Sequence, residues 1–177
     1  MSILQPLSEL EAWHANVDPW SYETHPHGHK RVQVLLSELP ERTFERVLDV
    51  GCGQGYVTAQ LPGASVTGVD ISENAISHAK KLESDRLRFQ VGGLFDLPSL
   101  FSVPFDLVVV TGVLYPQYIA SAKTLAYRVV DKVLAPGGLL VSVHIDEWYS
   151  CRFPYFLSKT LSYPYRDYIH RLEIYEK

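Results

Sequence analysis

Residues 48–56 read Leu48-Asp49-Val50-Gly51-Cys52-Gly53-Gln54-Gly55-Tyr56. The apolar run Val47 to Val50 reads as a short buried strand, and it leads directly into three glycines at alternate positions. Glycines there let the backbone turn sharply and approach a ligand closely. In doubly wound α/β sheets a strand followed by such a loop cradles a nucleotide-like ligand at the carboxyl ends of the strands.

Outward from this loop the chain alternates. Gln54 to Leu61 predicts a brief helix stopped by Pro62, and Val66 to Val69 a second strand that ends at Asp70. Ser72 is placed to N-cap a helix running to about Glu83, with Glu73 favourable for its dipole. Leu87 to Val91 is a third strand. Phe105 to Val110 is a fourth, apolar throughout as a central parallel strand is. Gln117 to Leu134 predicts a long amphipathic helix closed by Ala135-Pro136-Gly137-Gly138, and Leu139 to Ile145 a fifth strand. Upstream, Val32, Leu35, Leu36 and Leu39 recur at helical spacing before Pro40, and residues 3 to about 14 carry a weaker helical pattern broken at Asp18-Pro19.

Five strand-then-helix units predict a doubly wound parallel sheet. Tyr168 to Tyr175 alternates, with His170, Leu172 and Ile174 on one face, and predicts an edge strand. The chain after Tyr163-Pro164 has no room for a crossover helix, so this strand is expected to be antiparallel. With no repeat or linker, a single domain over residues 1–177 is expected. It comprises an N-terminal helical and lid segment, 1–43, and a core, 44–177.

At 177 residues, 46% of them hydrophobic, such a chain buries roughly 70% of its unfolded surface and builds its own core. A net charge of −4 makes duplex nucleic acid and anionic membranes poor partners. Eleven tyrosines suit an apolar pocket with hydroxyl handles. Cys52 and Cys151 are too far apart for a disulfide framework or metal knuckle. Neither a leader pattern nor a membrane span is visible, and a soluble cytoplasmic protein is expected.

The glycine register separates ligands. A dinucleotide loop wants G-x-G-x-x-G; here the third glycine comes one place early, and Tyr56 stands where it would be. Asp70 follows Gly51 at the distance where a carboxylate reaches ribose hydroxyls. The series Asp49-Val-Gly51-Cys-Gly53-Gln-Gly55 resembles motif I of the class I S-adenosylmethionine (SAM)-dependent methyltransferases. Asp70-Ile-Ser resembles their second motif, Phe105-Asp-Leu-Val-Val-Val with Val113-Leu-Tyr their fourth, and Leu134-Ala-Pro-Gly-Gly-Leu-Leu their fifth. These four ordered motifs cover about residues 44 to 145.

The resemblance implies a Rossmann-like doubly wound α/β fold, mostly parallel with an antiparallel C-terminal strand. It also implies SAM as cofactor, S-adenosyl-L-homocysteine as product, and a small-molecule methyl acceptor. In this reading Gly51, Gly53 and Gly55 admit the methionine part of the cofactor, and Asp49 orients the loop or the cofactor's ammonium. Asp70 holds the ribose and Ile71 packs on adenine. Gly93 and Leu94 offer backbone groups to adenine, because the acid many relatives carry after strand three is displaced here to Asp96 or missing. Thr111, Gly112, Trp20 and Tyr22 complete the expected cofactor contacts. Cys52 belongs to the loop as a small residue between glycines, with no neighbouring base to activate it.

The N-terminal Asp18-Pro-Trp-Ser-Tyr-Glu-Thr is similar to that of the nodulation-protein-S-like methyltransferases, which N-methylate amino groups on sugars. This chain departs from them at His27-Gly28, where relatives favour Tyr-Glu, and near Gly112, where they favour an acid. The acceptor is therefore expected to be an amine or hydroxyl of a sugar or other small metabolite. Tyr115 and His144 are the candidate catalytic residues, beside Asp146 and Glu147. A non-catalytic SAM-binding module, serving as a sensor or partner subunit, is the alternative. His25-Pro-His27-Gly-His29 could in principle ligate zinc, but it lacks a fourth ligand at suitable spacing. It is read as part of a lid over the cofactor, and no metal is expected.

Overall fold

The computed structural model describes residues 4–177; Ile3, the first residue of the N-terminal helical pattern, lies outside them. Seven strands form one sheet in the order β3-β2-β1-β4-β5-β7-β6. They are β1 Arg46–Val50, β2 Ser65–Asp70, β3 Leu87–Val91, β4 Phe105–Thr111, β5 Leu134–Ile145, β6 Phe156–Tyr165 and β7 Tyr168–Glu176. The first five run parallel, and β7 is antiparallel to both β5 and β6. The helices are α1 Leu7–His14, α2 Lys30–Glu38, α3 Glu73–Ala79, α4 Leu97–Leu100, α5 Pro116–Ile119 and α6 Lys123–Val133.

The unbroken apolar run of β4 follows from cover on both faces of the sheet. Val108 and Val110 pack in the layer that includes Val129, Val130 and Val133 of α6. Leu107 and Val109 pack in the opposite layer with Val32 and Leu35 of α2 and Ile76 of α3. Each fully buried side chain of this kind stabilises the fold by about 1.5–3 kcal/mol. No helix among the described residues is long and apolar enough to cross a membrane.

The sheet differs from expectation at its C-terminal end. β7 is antiparallel and joined through a hairpin, but it is interior, because β6 pairs along its far side. β6 carries little apolar alternation because it is the edge strand and mostly exposed. Pro164 is tolerated at an edge, where no partner needs its missing N–H. The helix predicted after the glycine loop reduces to a 3₁₀ turn, Thr58–Gln60. α3 ends at Ala79 and is followed by a 3₁₀ turn through Leu82 rather than continuing to Glu83. The long helix predicted from Gln117 is broken into α5 and α6 at Ala120, which has φ +47°. The short α4 lies in a stretch where no helix was expected.

Candidate functional site

The glycine loop leaves β1 and turns through three left-handed glycines, Gly51 at φ +74°, Gly53 at +53° and Gly55 at +86°. The N–H groups of Gly51 and Cys52 donate to Val69 O at 2.8 and 3.0 Å, tying the loop to β2. The Asp70 carboxylate completes the clasp, accepting from Gly53 N at 2.8 Å and from Ser72 N at 3.0 Å. A cavity of about 910 Å³ opens above the loop, and Asp70 lies on its wall. That volume is at the large end for a small-molecule site, with room for more than one ligand.

Gly51, Cys52 and Gly53 line the cavity floor. Gly53 faces into it: a side chain there would first meet His14 Cε1 at 3.5 Å and Trp20 Nε1 at 3.8 Å. Gly55 is not on the cavity; a Cβ there would meet the Phe89 ring at 2.9 Å, so its bareness serves packing. Burial and the nearby Asp49 and Asp70 charges hold the Cys52 thiol well above its ordinary pKa, which keeps it unreactive.

Asp49 sits beneath the loop rather than on the cavity. It is fully buried; its Oδ2 accepts from the Thr58 hydroxyl at 2.7 Å, and its Oδ1 has no partner. Burial pushes its carboxyl up to about 7, helped by the Asp70 charge and opposed by the Thr58 hydroxyl. Between about pH 4 and pH 7 the folded chain thus holds a proton that the unfolded chain has lost. Stability present below that window is lost as pH rises through it. Denaturant titrations at pH 5 and pH 8 should show the native chain losing roughly 2–3 kcal/mol relative to Asp49→Asn. Parallel profiles for the two proteins would remove Asp49 as the source.

The adenine-side residues expected from the sequence come together. Ile71, Gly93 and Leu94 line one end of the cavity with Phe95 and Asp96. The Gly93 N–H is already held, donating to Asp96 Oδ2 at 2.9 Å. The displaced acid is therefore present on the wall, beside the half-exposed Ile71.

The N-terminal segment covers the opposite side. Glu11 of α1 caps α3, accepting from Glu73 N at 2.7 Å, Asn74 N at 3.0 Å and the Ser72 hydroxyl at 2.9 Å. This brings His14 onto the cavity wall, buried and with Nδ1 unpartnered. Asp18 then accepts from Tyr22 N, Glu23 N and Thr24 N at 2.6, 2.9 and 3.1 Å, folding the turn that presents Trp20 and Tyr22. The Tyr22 ring stacks on Tyr56 of the glycine loop at 4.5 Å. In the histidine run, His29 Nδ1 contacts the Tyr56 hydroxyl, and His25 Nδ1 accepts from His27 N at 3.0 Å. Among the described residues no group of three or more His, Cys, Asp or Glu is placed to hold a metal ion.

The third wall follows β4. Thr111, Gly112 and Tyr115 line the cavity. His144 does not, and it has no exposed surface. Its Nε2 accepts from Val113 N at 3.2 Å and Leu114 N at 3.0 Å. The proton must then be on Nδ1, 3.0 Å from Ser142 Oγ. Burial, with the positive charge of Arg31, holds the imidazole well below its ordinary pKa. Tyr115 accepts from Ile145 N at 2.8 Å, and burial raises its phenol, so its hydroxyl proton is retained at neutral pH. Arg31, from the first turn of α2, also reaches this wall; sequence reasoning named neither it nor His14.

The sheet order, the strand-end cavity and the glycine loop together define an α/β ligand-binding protein of the doubly wound, Rossmann-like class. The chain belongs to the family described as "Methyltransferase domain", whose sequence profile matches residues 43–162. It is 36% identical over 110 residues to the trans-aconitate 2-methyltransferase of Deinococcus radiodurans, covering 60% of this chain and 40% of that protein. To the nodulation protein S of Rhizobium tropici it is 30% identical over 129 residues, covering 70% and 53%. The chain thus spans about half the length of the curated relatives it matches. Among solved structures, the N-methyltransferase NodS of Bradyrhizobium japonicum WM9, in complex with S-adenosyl-L-homocysteine, superposes with a TM-score of 0.80. That match covers 97% of each chain at 24% identity, a likeness of fold.

Proposed function

We propose that the chain is a SAM-dependent methyltransferase acting on an amine or hydroxyl of a small molecule, such as a sugar or other metabolite. The observation that carries this reading is the clasp at Asp70. One carboxylate at the end of β2 fixes the bare Gly53 loop and also faces a cavity large enough for cofactor and acceptor together. The residues present fit the cofactor. Asp70 would hold the ribose, Ile71 and Asp96 the adenine, and the uncovered Gly51–Gly53 backbone the methionine part. The solved complex of NodS with S-adenosyl-L-homocysteine supports the same choice.

When bound, the cofactor supplies a methyl carbon activated by its sulfonium. This chain's part is to align the acceptor and keep out water. His144 is assigned a positioning role: its ring holds the backbone N–H groups of residues 113 and 114, and so sets where Tyr115 stands. Tyr115, still protonated, is assigned as a hydrogen-bond donor to the acceptor rather than as a base. Tyr115→Phe should leave S-adenosyl-L-homocysteine affinity unchanged and lower kcat/KM on the order of tenfold, the worth of one such bond. An unchanged kcat/KM would remove this role.

Titration calorimetry with SAM and S-adenosyl-L-homocysteine tests the main proposal, and binding of neither would sink it. NAD in the same titration tests a nicotinamide-dependent oxidoreductase, which the glycine register disfavours because it departs from the dinucleotide pattern. The lack of a free base at either Tyr115 or His144 favours one second reading, a SAM-binding module without transferase activity. Tight binding with no labelled methyl transferred across a panel of amines, hydroxyls and carboxylates would select it.

A further inference from the structure

Trp148 stands just past the end of β5, where its backbone N–H turns back to donate to Ile145 O at 3.2 Å. The residue is 41% exposed, and it lies on the cavity wall. Among the described residues its indole N–H has no partner. Two neighbouring rings nevertheless fix its position. Tyr115 meets it at 5.7 Å and 76°, and Tyr168 of β7 at 5.0 Å and 61°. Such edge-to-face contacts hold an indole without covering it. Tyr115 is itself anchored by Ile145 N, and its ring lies 6.2 Å from that of Tyr118. Ile119 and Ile145 complete this end of the cavity. The chain thus spends three aromatic rings and two isoleucines on one small stretch of wall, and leaves the largest ring half in the open.

The chemistry of that wall narrows what can sit on it. The acids of the cavity lie elsewhere: Asp70 and Asp96 at the proposed ribose and adenine positions, and Asp18 and Glu23 in the N-terminal turn. The charge that acts most on the Tyr115 phenol is the positive one of Arg31. An ammonium group brought there would find repulsion and no counter-ion. Tyr115 as a donor sets a second condition. The acceptor atom needs one lone pair for that hydrogen bond and another to attack the methyl carbon. A hydroxyl oxygen has two, and an amine nitrogen has one. A sugar carries a polar group on nearly every carbon, and each needs a partner once desolvated. An aromatic ring needs none on its faces, and it gains from stacking on an indole.

We propose that this end of the cavity is the acceptor subsite for an uncharged aromatic ring bearing a hydroxyl, with the open indole of Trp148 as the platform under the ring. The inference rests on the methyltransferase reading of the cavity and narrows it. In the transfer the ring's oxygen forms the new bond to the methyl carbon. The carbon–sulfur bond breaks with its electron pair staying on sulfur, and the hydroxyl proton passes to water.

The experiment uses calorimetry on the full chain saturated with S-adenosyl-L-homocysteine, and on its Trp148→Ala and Trp148→Phe variants. The probes are 2-naphthol, an uncharged hydroxylated aromatic, and glucosamine, a sugar amine. The native chain should bind 2-naphthol more tightly than glucosamine. Trp148→Ala should lose about ten- to a hundredfold in 2-naphthol affinity, Trp148→Phe should recover most of it, and S-adenosyl-L-homocysteine affinity should stay the same in both. Tighter binding of glucosamine overturns the proposal, and so does 2-naphthol binding that is absent or indifferent to Trp148→Ala. A parallel loss of S-adenosyl-L-homocysteine affinity also overturns it, by placing Trp148 in the cofactor's part of the cavity. If the native chain binds neither SAM nor S-adenosyl-L-homocysteine, the methyltransferase reading fails on its own. Binding of 2-naphthol to the free protein, lost in Trp148→Ala, would then still uphold the aromatic subsite, and its absence would overturn it.

Discussion

Asp70→Ala should weaken S-adenosyl-L-homocysteine binding by roughly 10²–10³-fold, because the side chain has two tasks at one place. In the free protein its two oxygens accept from Gly53 N and Ser72 N, so the carboxylate positions the loop before any ligand arrives. The carboxylate also lies on the cavity wall, where ribose hydroxyls are proposed to donate to its remaining lone pairs. Hydrogen bonds to a charged group are worth about 1.5–3 kcal/mol each, and loss of the clasp adds the cost of re-ordering three glycines. Asp70→Asn separates the tasks only partly, since an amide NH₂ cannot accept from either backbone N–H. The sharper comparison is between S-adenosyl-L-homocysteine and its 2′-deoxy analogue. If Asp70 holds the ribose, the native chain discriminates between them and Asp70→Ala does not. Equal discrimination by both proteins would leave Asp70 as a loop clasp alone.

Asp49 and Asp70 look alike in the sequence, each an acid at the end of an apolar run, and strand geometry gives them different fates. Asp70 is the last residue of β2 and emerges at the cavity. Asp49 is the penultimate residue of β1 and turns beneath the loop toward Thr58. The glycine loop, the parallel core and the helix cap at Ser72 were legible because their signals are local: glycine register, apolar runs and a capping hydroxyl. β6 was not, because an exposed edge strand containing a proline has no pattern to read. Arg31 was hidden as one more charge on an amphipathic helix. Its clue was position: it stands four residues before the buried Leu35 and so shares that residue's face. His14 likewise stands four residues after Leu10 and seven after Leu7, both of which line the cavity. Only packing distinguishes a cavity-facing stripe from a core-facing one. His144 was legible as an unusual residue in an apolar strand, but its partners, two backbone N–H groups from the loop after β4, come from a segment 30 residues away.

That loop sets the size of the second large effect. Gly51→Val should destabilise the free protein by roughly 3–5 kcal/mol, combining a β-branched residue at positive φ with overpacking. Gly51 holds φ +74°, and a Cβ built there would lie 2.2 Å from Val113 Cγ2. Turning the Val113 side chain would move Cγ2, but Val113 Cβ also stands only 3.7 Å from that point, and the backbone behind it is held. The N–H groups of Val113 and Leu114 are both held by His144 Nε2, and Gly112 N donates to Val143 O at 2.9 Å. Nor can the glycine loop retreat, since Gly51 N and Cys52 N are anchored on Val69 O. The new side chain must therefore push the Val113 side chain out of its seat or strain one of these two backbone anchors. Gly53→Ala is the contrast. Its Cβ meets nothing nearer than 3.5 Å, so its stability cost should be about 1 kcal/mol, from the backbone alone, while its methyl enters the cavity and weakens ligand binding. Urea titrations of the two variants should therefore separate widely, while ligand titrations place Gly53→Ala among the weakened binders. A Gly51→Val protein within 1 kcal/mol of native would mean that the Val113 side chain or the loop after β4 gives way freely. The first glycine of the loop is required by the fold, and the second by the site.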